Sequence, residues 1–389
     1  RMADIGEYFS GFVFKTSSDM QNGRLSWSRI WSGSIKSGQR VLDSRSGLPV
    51  RIKRIFAIQA NVLEEIVSAE AGDIVAFSIP ETGASGGAGA TLCDPAHPIL
   101  YESVSVPEPV VSIVIEPRTV ADTARIGVAL TALAAEDSAL RVSEDPQTGR
   151  YELSGLGELH LEVALERLAR EYGAHIRTGN PRVAYRETLT ATVVYRQEFD
   201  RDIGGERIRT AVEAEIGPLP RGSGIVIGIE AGIRAPAILV EAAKRGLSSA
   251  LSVGPVAGFP LDDVIATIKE IQMPSGSGRI AEIAVEAAAS LCGRECADKA
   301  RGMVLEPVMC VELEVPDKYF GPSAALITAR GGRLESVEDV TGGKLICAVA
   351  PMRVLFGFAT EIRSATEGRA LFQARFYRLE PASGPIIRT

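Results

Sequence analysis

One order of elements occurs twice in this chain. In residues 109–179, PVVSIVIEP has the alternation of a strand, and VADTARIGVALTALAAED is amphipathic at helical spacing. ALRVSEDPQTGRYELSG reads as two strands around a turn containing Asp145, Pro146 and Gly149. LGELHLEVALERLAREYG is a second helix closed by Gly173, and AHIRTG a final strand. In residues 304–382 the order returns. LEPVMCVELEVP is a strand, DKYFGPSAALITARGG a helix, and RLESVEDVTGG with KLICAVAP a strand pair. MRVLFGFATEIRSATEG reads as a helix and turn before the closing strand RALFQARFYRLE. The order β-α-β-β-α-β is the split βαβ, ferredoxin-like unit.

The segments around these repeats differ. Residues 9–102 show short strand patterns at turn spacing, broken at Gly23, Gly38 and Ser46-Gly47, as a β-barrel does. Such a barrel is expected to close its strand pairing and leave no edge. GGAGATL, Gly86 to Leu92, has no Lys and no following helix, so a flexible hairpin is expected there instead of a phosphate cradle. Pro107–Pro109 forms a short stiff linker. Residues 180–303 place strands on either side of the polar turn DRDIGGE, then a strand, the helix PAILVEAAKRGLSSAL, a loop and strand, the turn MPSGSG, and a long Ala-rich helix of about 30 Å. The expected fold is multidomain α+β: a β-barrel at 1–106, a ferredoxin-like domain at 107–181, an elongated α+β domain at 182–303, and a second ferredoxin-like domain at 304–389.

A chain of 389 residues suits several packed cores. No apolar run is long enough for a membrane span, and the N-terminus lacks the basic-then-apolar order of a signal peptide. It enters a strand pattern at once, as the interior of a longer protein would. Five scattered cysteines point to reduced thiols in a cytosol-like compartment. Cys292 and Cys296 share a helix face and suit packing, since two ligands alone do not make a zinc site. The net charge of −7 argues weakly against nucleic acid, but clustered cations override net charge.

No catalytic residue and no metal site emerge. His97 sits in a Pro-rich turn, His160 on an amphipathic helix and His175 at a strand start, each a structural setting. Neither GxxxxGK[ST] nor NKxD is present, so hydrolysis of GTP by these residues is not expected.

Two segments carry a family resemblance: LSGLGELHLEVALERL (Leu153–Leu168) and VLFGFATEIRSATEGRALF (Val354–Phe372). Together with GRLSWSRIWSGSIKSGQRV, AGDIVAF, EPRTVADTARIGVAL, LEPVMCVELEVP and ARGGRLESV, they resemble domains II to V of elongation factor G, collinearly over nearly the whole chain. The resemblance implies a translation factor that binds the ribosome, through rRNA and ribosomal proteins, and acts as a monomer in the cytoplasm or the mitochondrial matrix. GTP and Mg²⁺ would enter through the family's N-terminal G domain, and no cofactor is expected on these residues.

The third unit departs from translocating members. GGVIPGEYIP is missing, and PSGSGR (Pro274–Arg279) stands where they carry HDVDSS. This is similar to the recycling-type second elongation factor G, known from mitochondria and some bacteria, which splits ribosomes with ribosome recycling factor. A translocase with a divergent domain IV, and a ribosome-binding adaptor without a G domain, are the alternatives. Family resemblance places ribosome contacts at the domain IV tip, on Arg201, Gly204, Gly205, Arg207, Pro274, Ser275, Gly276, Ser277, Gly278 and Arg279. It places others in domain V, on Arg330, Gly331, Gly332, Arg363 and Arg369, within an Arg cluster that includes Arg375 and Arg378. The plainer alternatives are a solvated hairpin tip and a sheet face whose arginines pair with Glu361, Glu367 and Glu380.

Overall fold

The computed structural model describes residues 3–19, 22–60, 62–79, 86–103, 106–144, 149–203, 206–276 and 278–383. The chain divides into two compact units, residues 1–181 and 182–389.

In the first unit, eight strands form one antiparallel sheet. Its path runs Leu48–Arg51, Arg40–Asp43, Thr91–Cys93, Ser10–Asp19, Gly23–Ser32, Ile74–Ser78, Arg54–Gln59, Val62–Ile66, with a separate ribbon of Ser34–Lys36 and Ser68–Glu70. Alternating apolar residues face one interior, among them Val13, Ile30, Ile35, Val41, Ile52, Ile55, Phe77 and Leu92. The expected closed barrel is corrected here. Among the described residues the two end strands do not pair, so hydrogen bonds leave the sheet open. Pro49 in one end strand has no N–H to offer, and Glu64 and Glu65 charge the other. The roll is completed instead by the covalent chain. The fully buried Ile52 and the following Lys53 carry it from the first strand of the path to the last but one, with Lys53 N–H donating to Ser78 O at 2.9 Å. The stretch 86–92 is likewise not a free hairpin. Gly86 N–H donates to the buried Asp43 (3.0 Å), its carbonyl accepts Ser26 Oγ (2.6 Å), and Thr91–Cys93 is an inner strand of the sheet.

The rest of this unit is a ferredoxin-like module. Helices α1 (Val120–Glu136) and α2 (Glu158–Tyr172) separate the strands Val111–Pro117, Arg141–Glu144, Tyr151–Gly155 and Ile176–Thr178. In space the strands lie in the order second, third, first, fourth, all antiparallel. That is the arrangement the element order implied. Helix α2 ends at Gly173 in the left-handed conformation (φ 59°).

In the second unit, Val193–Ile203, Glu206–Pro218, Val264–Gln272 and Ile225–Ile229 form a four-stranded sheet in that order. Ile225–Ile229 and Val264–Gln272 are parallel neighbours, because α3 (Ala237–Leu251) crosses between them. Helix α4 (Gly278–Ala300) packs closely on α3 through small residues: a Cβ at Gly293 would come 2.7 Å from Ala250 Cβ, and one at Gly246 2.9 Å from Ala289 Cβ. Cys292 and Cys296 are buried where α4 lies on the sheet, with Cys292 Sγ 3.2 Å from Tyr195 O and Cys296 Sγ 3.6 Å from Ala214 O.

The last module repeats the ferredoxin order with α5 (Asp317–Ala329) and α6 (Phe358–Ala365), and its strands are again second, third, first, fourth. The helix expected from Met352 onward is shorter than the pattern suggests. Met352–Val354 form a single 3-10 turn, and Gly357 adopts φ 70°, so α6 begins only at Phe358.

The strand Arg186–Leu189 lengthens this last sheet by pairing with Leu305–Gly302. It also carries Glu187, fully buried, whose carboxylate accepts N–H bonds from Val256 (2.7 Å), Ala257 (2.7 Å) and Phe259 (3.0 Å). One residue thus ties the 254–259 loop of the α+β module to the sheet of the last module.

Candidate functional site

The tip of the α+β module is built by a hairpin and the loop before α4. The hairpin runs in unbroken register from Val193↔Ile216 to Ile203↔Glu206. Alternation sends Phe199 and Ile208 toward the helices and Asp200 and Arg209 to the opposite face. Asp200 stands opposite Arg209, and Asp202 opposite Arg207. Asp200 accepts both nearby guanidinium groups. Arg207 donates Nε at 2.7 Å and Nη2 at 3.0 Å, and Arg209 donates Nε at 3.1 Å. The Arg207 hydrogen bond holds the Asp200 carboxyl below the usual range and pushes the Arg207 guanidinium up.

The segment 273–276 before α4 is sewn to this hairpin by Ser275. Its Oγ accepts Arg209 N–H (2.9 Å) and donates to Arg207 O (3.3 Å), while Ser275 N–H donates to Arg209 O (3.1 Å). Thr210 Oγ1 adds a bond to Gln272 O (2.6 Å). Gly278 opens α4 with φ 66°, a turn that a Cβ would strain. Pro274 and Gly276 are half-buried. Arg201 and Arg279 are exposed, and neither has an ion pair among the described residues. Arg201 shares the side of Phe199, toward the helices. Gly204, Gly205 and Ser277 lie outside the described residues. Behind the tip, Arg196 pairs with Glu270 (2.6 Å) and Lys269 with Glu215 (2.8 Å).

The domain V residues divide into two groups. Arg330 donates Nη1 to Val354 O (2.9 Å) and Phe356 O (2.8 Å), is salt-bridged to Glu361, and lies over the Phe358 ring. It clamps the turn before α6. Gly331 takes φ 88° beside it. Gly332 is buried where a Cβ would come within 2.6 Å of Ile327. Arg375 is salt-bridged to Glu312 and Arg378 to Glu380. Arg363 and Arg369 are exposed and carry no salt bridge among the described residues.

His160 holds local structure. Its Nδ1 accepts Leu156 N–H (3.1 Å), so Nε2 carries the proton and donates to Asp137 (2.9 Å). His97 stacks on Tyr8, with centroids 3.4 Å apart, and contacts Asp94 at 3.2 Å.

Residue type alone singles out Arg201, Arg207 and Arg279 and passes over Asp200 and Arg209. The available signal was parity: in an antiparallel hairpin that pairs 203 with 206, residue 200 must face 209.

Comparison with known proteins matches each segment in turn. Residues 8–94 match the family model of elongation factor G domain 2, and 106–180 that of elongation factor G, domain III. Residues 181–301 match elongation factor G, domain IV, and 303–389 the elongation factor G C-terminus. A crystal structure of a Thermus thermophilus protein is similar at 25% identity and a TM-score of 0.55. The similarity covers 97% of this chain but only 56% of that one. Four consecutive matches to one family, with the sheet orders described above, place the chain in the elongation factor G family as its domains II, III, IV and C-terminal domain.

Proposed function

We propose that this chain is the ribosome-binding portion of an elongation factor G-type translation factor, and that it serves ribosome recycling, splitting the subunits together with recycling factor, instead of moving tRNA and mRNA. The observation that carries this reading is the tip loop. Pro274–Arg279 holds no His and no carboxylate, and the hydroxyl and N–H of Ser275 are spent on the neighbouring hairpin. Contacts that cradle an anticodon stem need free donors and acceptors on bases and sugar hydroxyls. The segment before α4, sewn to its hairpin, offers shape instead, which suits steric intrusion between two particles, and Arg279 beyond it offers only a phosphate-type contact. The exposed Arg363 and Arg369, the latter near the Glu367 carboxylate, supply domain V with cations to meet rRNA phosphates.

In this reading the chain itself catalyses nothing and holds no cofactor. GTP and Mg²⁺ act through the G domain that members of the family carry. The protein works as a monomer in the compartment of its ribosomes, the cytoplasm or the mitochondrial matrix. The test is a purified system with the full-length protein. Splitting of post-termination ribosomes in the presence of recycling factor, with poor tRNA movement, is the expected result. Efficient translocation without splitting overturns the proposal in favour of a divergent translocase.

A further inference from the structure

We infer that Asp200 limits how many RNA phosphates the domain IV tip engages. This rests on the ribosome-binding reading above and deepens it at one residue. Four arginines surround the tip: Arg201, Arg207, Arg209 and Arg279. Two of them are taken by one carboxylate. Arg207 presents to Asp200 its Nε–Nη2 edge, at 2.7 and 3.0 Å, and Arg209 gives its Nε at 3.1 Å. That edge of a guanidinium is one of the two that can grip a phosphate bidentately. Neither side chain is hidden: Arg207 and Arg209 are 64% and 63% exposed. A phosphate arriving at the tip therefore meets two accessible arginines already paired with an anion, Arg207 through a fork of two nitrogens and Arg209 through its Nε. Asp202, across the hairpin from Arg207, adds a second negative charge on the same face.

Among the described residues, Arg201 and Arg279 lie under no such restraint. Arg201 is on the helix side of the hairpin by alternation, and Arg279 is in the first turn of α4. The tip thus has a cationic side with two free arginines and a self-neutralised side with two captive ones. RNA is engaged from the helix side, and the sheet side is held back by Asp200. A residue that withholds two cations keeps a wedge from becoming an RNA clamp, and makes Asp200 a specificity-determining position.

The readout is the salt dependence of binding, because each phosphate neutralised adds about −0.7 to −0.9 to the slope of log K against log salt. Binding of the chain to 70S ribosomes is measured over a salt series for the parent, for Asp200→Asn, and for Asp200→Asn combined with Arg207→Gln and Arg209→Gln. Asp200→Asn is expected to bind more tightly at low salt, with a slope steeper by about 1 to 2, and the triple variant to return to the parent slope. An unchanged slope in Asp200→Asn, or weaker binding, overturns the inference and leaves the ribosome-binding reading standing. A parent chain that fails to bind 70S ribosomes at low salt overturns both.

Discussion

Replacing Glu187 by Gln tests how the α+β module is joined to the last module. The parent carboxylate is fully buried and accepts three amide bonds, from Val256, Ala257 and Phe259. Bonds to a charged acceptor contribute about 1.5–3 kcal/mol each and neutral ones about 0.5–1.5. In the variant, the carbonyl oxygen in the Oε1 position keeps Ala257 and Phe259 as neutral bonds, weakening each by about 1 kcal/mol. The new amine in the Oε2 position faces the Val256 N–H, donor against donor, at a further cost of about 1–3 kcal/mol. Relief from burying a charge offsets part of this, leaving a net loss of about 3 kcal/mol. The loop cannot shift easily to compensate, since Gly254 already lies where a Cβ would be 2.4 Å from the Glu187 carboxyl carbon. Hydrogen exchange of the 254–259 amides, followed by mass spectrometry, reads the effect locally. A loss of about 3 kcal/mol corresponds to exchange faster by about a hundredfold. The only two tryptophans, Trp27 and Trp31, belong to the first unit, so their fluorescence is an internal control that should not change. Exchange within about threefold of the parent would refute the view that this carboxylate ties the modules together.

Two further predictions concern stability. Gly246→Ala puts a Cβ within 2.2 Å of Glu286 O and 2.9 Å of Ala289 Cβ at the α3–α4 crossing. It should cost about 1–3 kcal/mol or more by overpacking and lower the thermal midpoint of the second unit; a midpoint equal to the parent's would show that the helices part freely. In the first unit, hydrogen bonding from Arg167 holds the Glu171 carboxyl below its ordinary value of 4.5. A depressed folded value means that the stabilisation is complete above pH 4.5 and disappears as pH falls through the lower folded value. Tryptophan-monitored unfolding should therefore show an acid limb that is shallower in Arg167→Gln, and identical limbs in the two proteins would contradict the assignment.

Much of the architecture was legible because it depends on local periodicity. The 2.0 and 3.6 repeats of 109–179 and 304–382 named each element in order, and that order has few compact solutions. Both modules accordingly show the strand order second, third, first, fourth. Legibility failed where a single residue overrides a pattern. Gly357 interrupts an otherwise helical run, so α6 starts late. Pro49 and the Ile52–Lys53 crossing decide that the first sheet rolls without a closed ladder, although its strand spacing suits a barrel.

The amino-acid sequence by itself determined the kinds and order of the elements, the family, and the absence of His and acidic residues from the tip loop. Charge pairing was decided only by the tertiary structure. Arg207, Arg330 and Arg363 look equivalent as letters. Yet the first is held by Asp200, the second clamps the turn before α6, and the third alone carries no salt bridge among the described residues. The partners of Arg330 stand 24 to 31 positions away, and Glu187 binds a loop about 70 positions further on. Such pairings depend on which strands become neighbours, a property of the folded core that no local pattern of residues encodes.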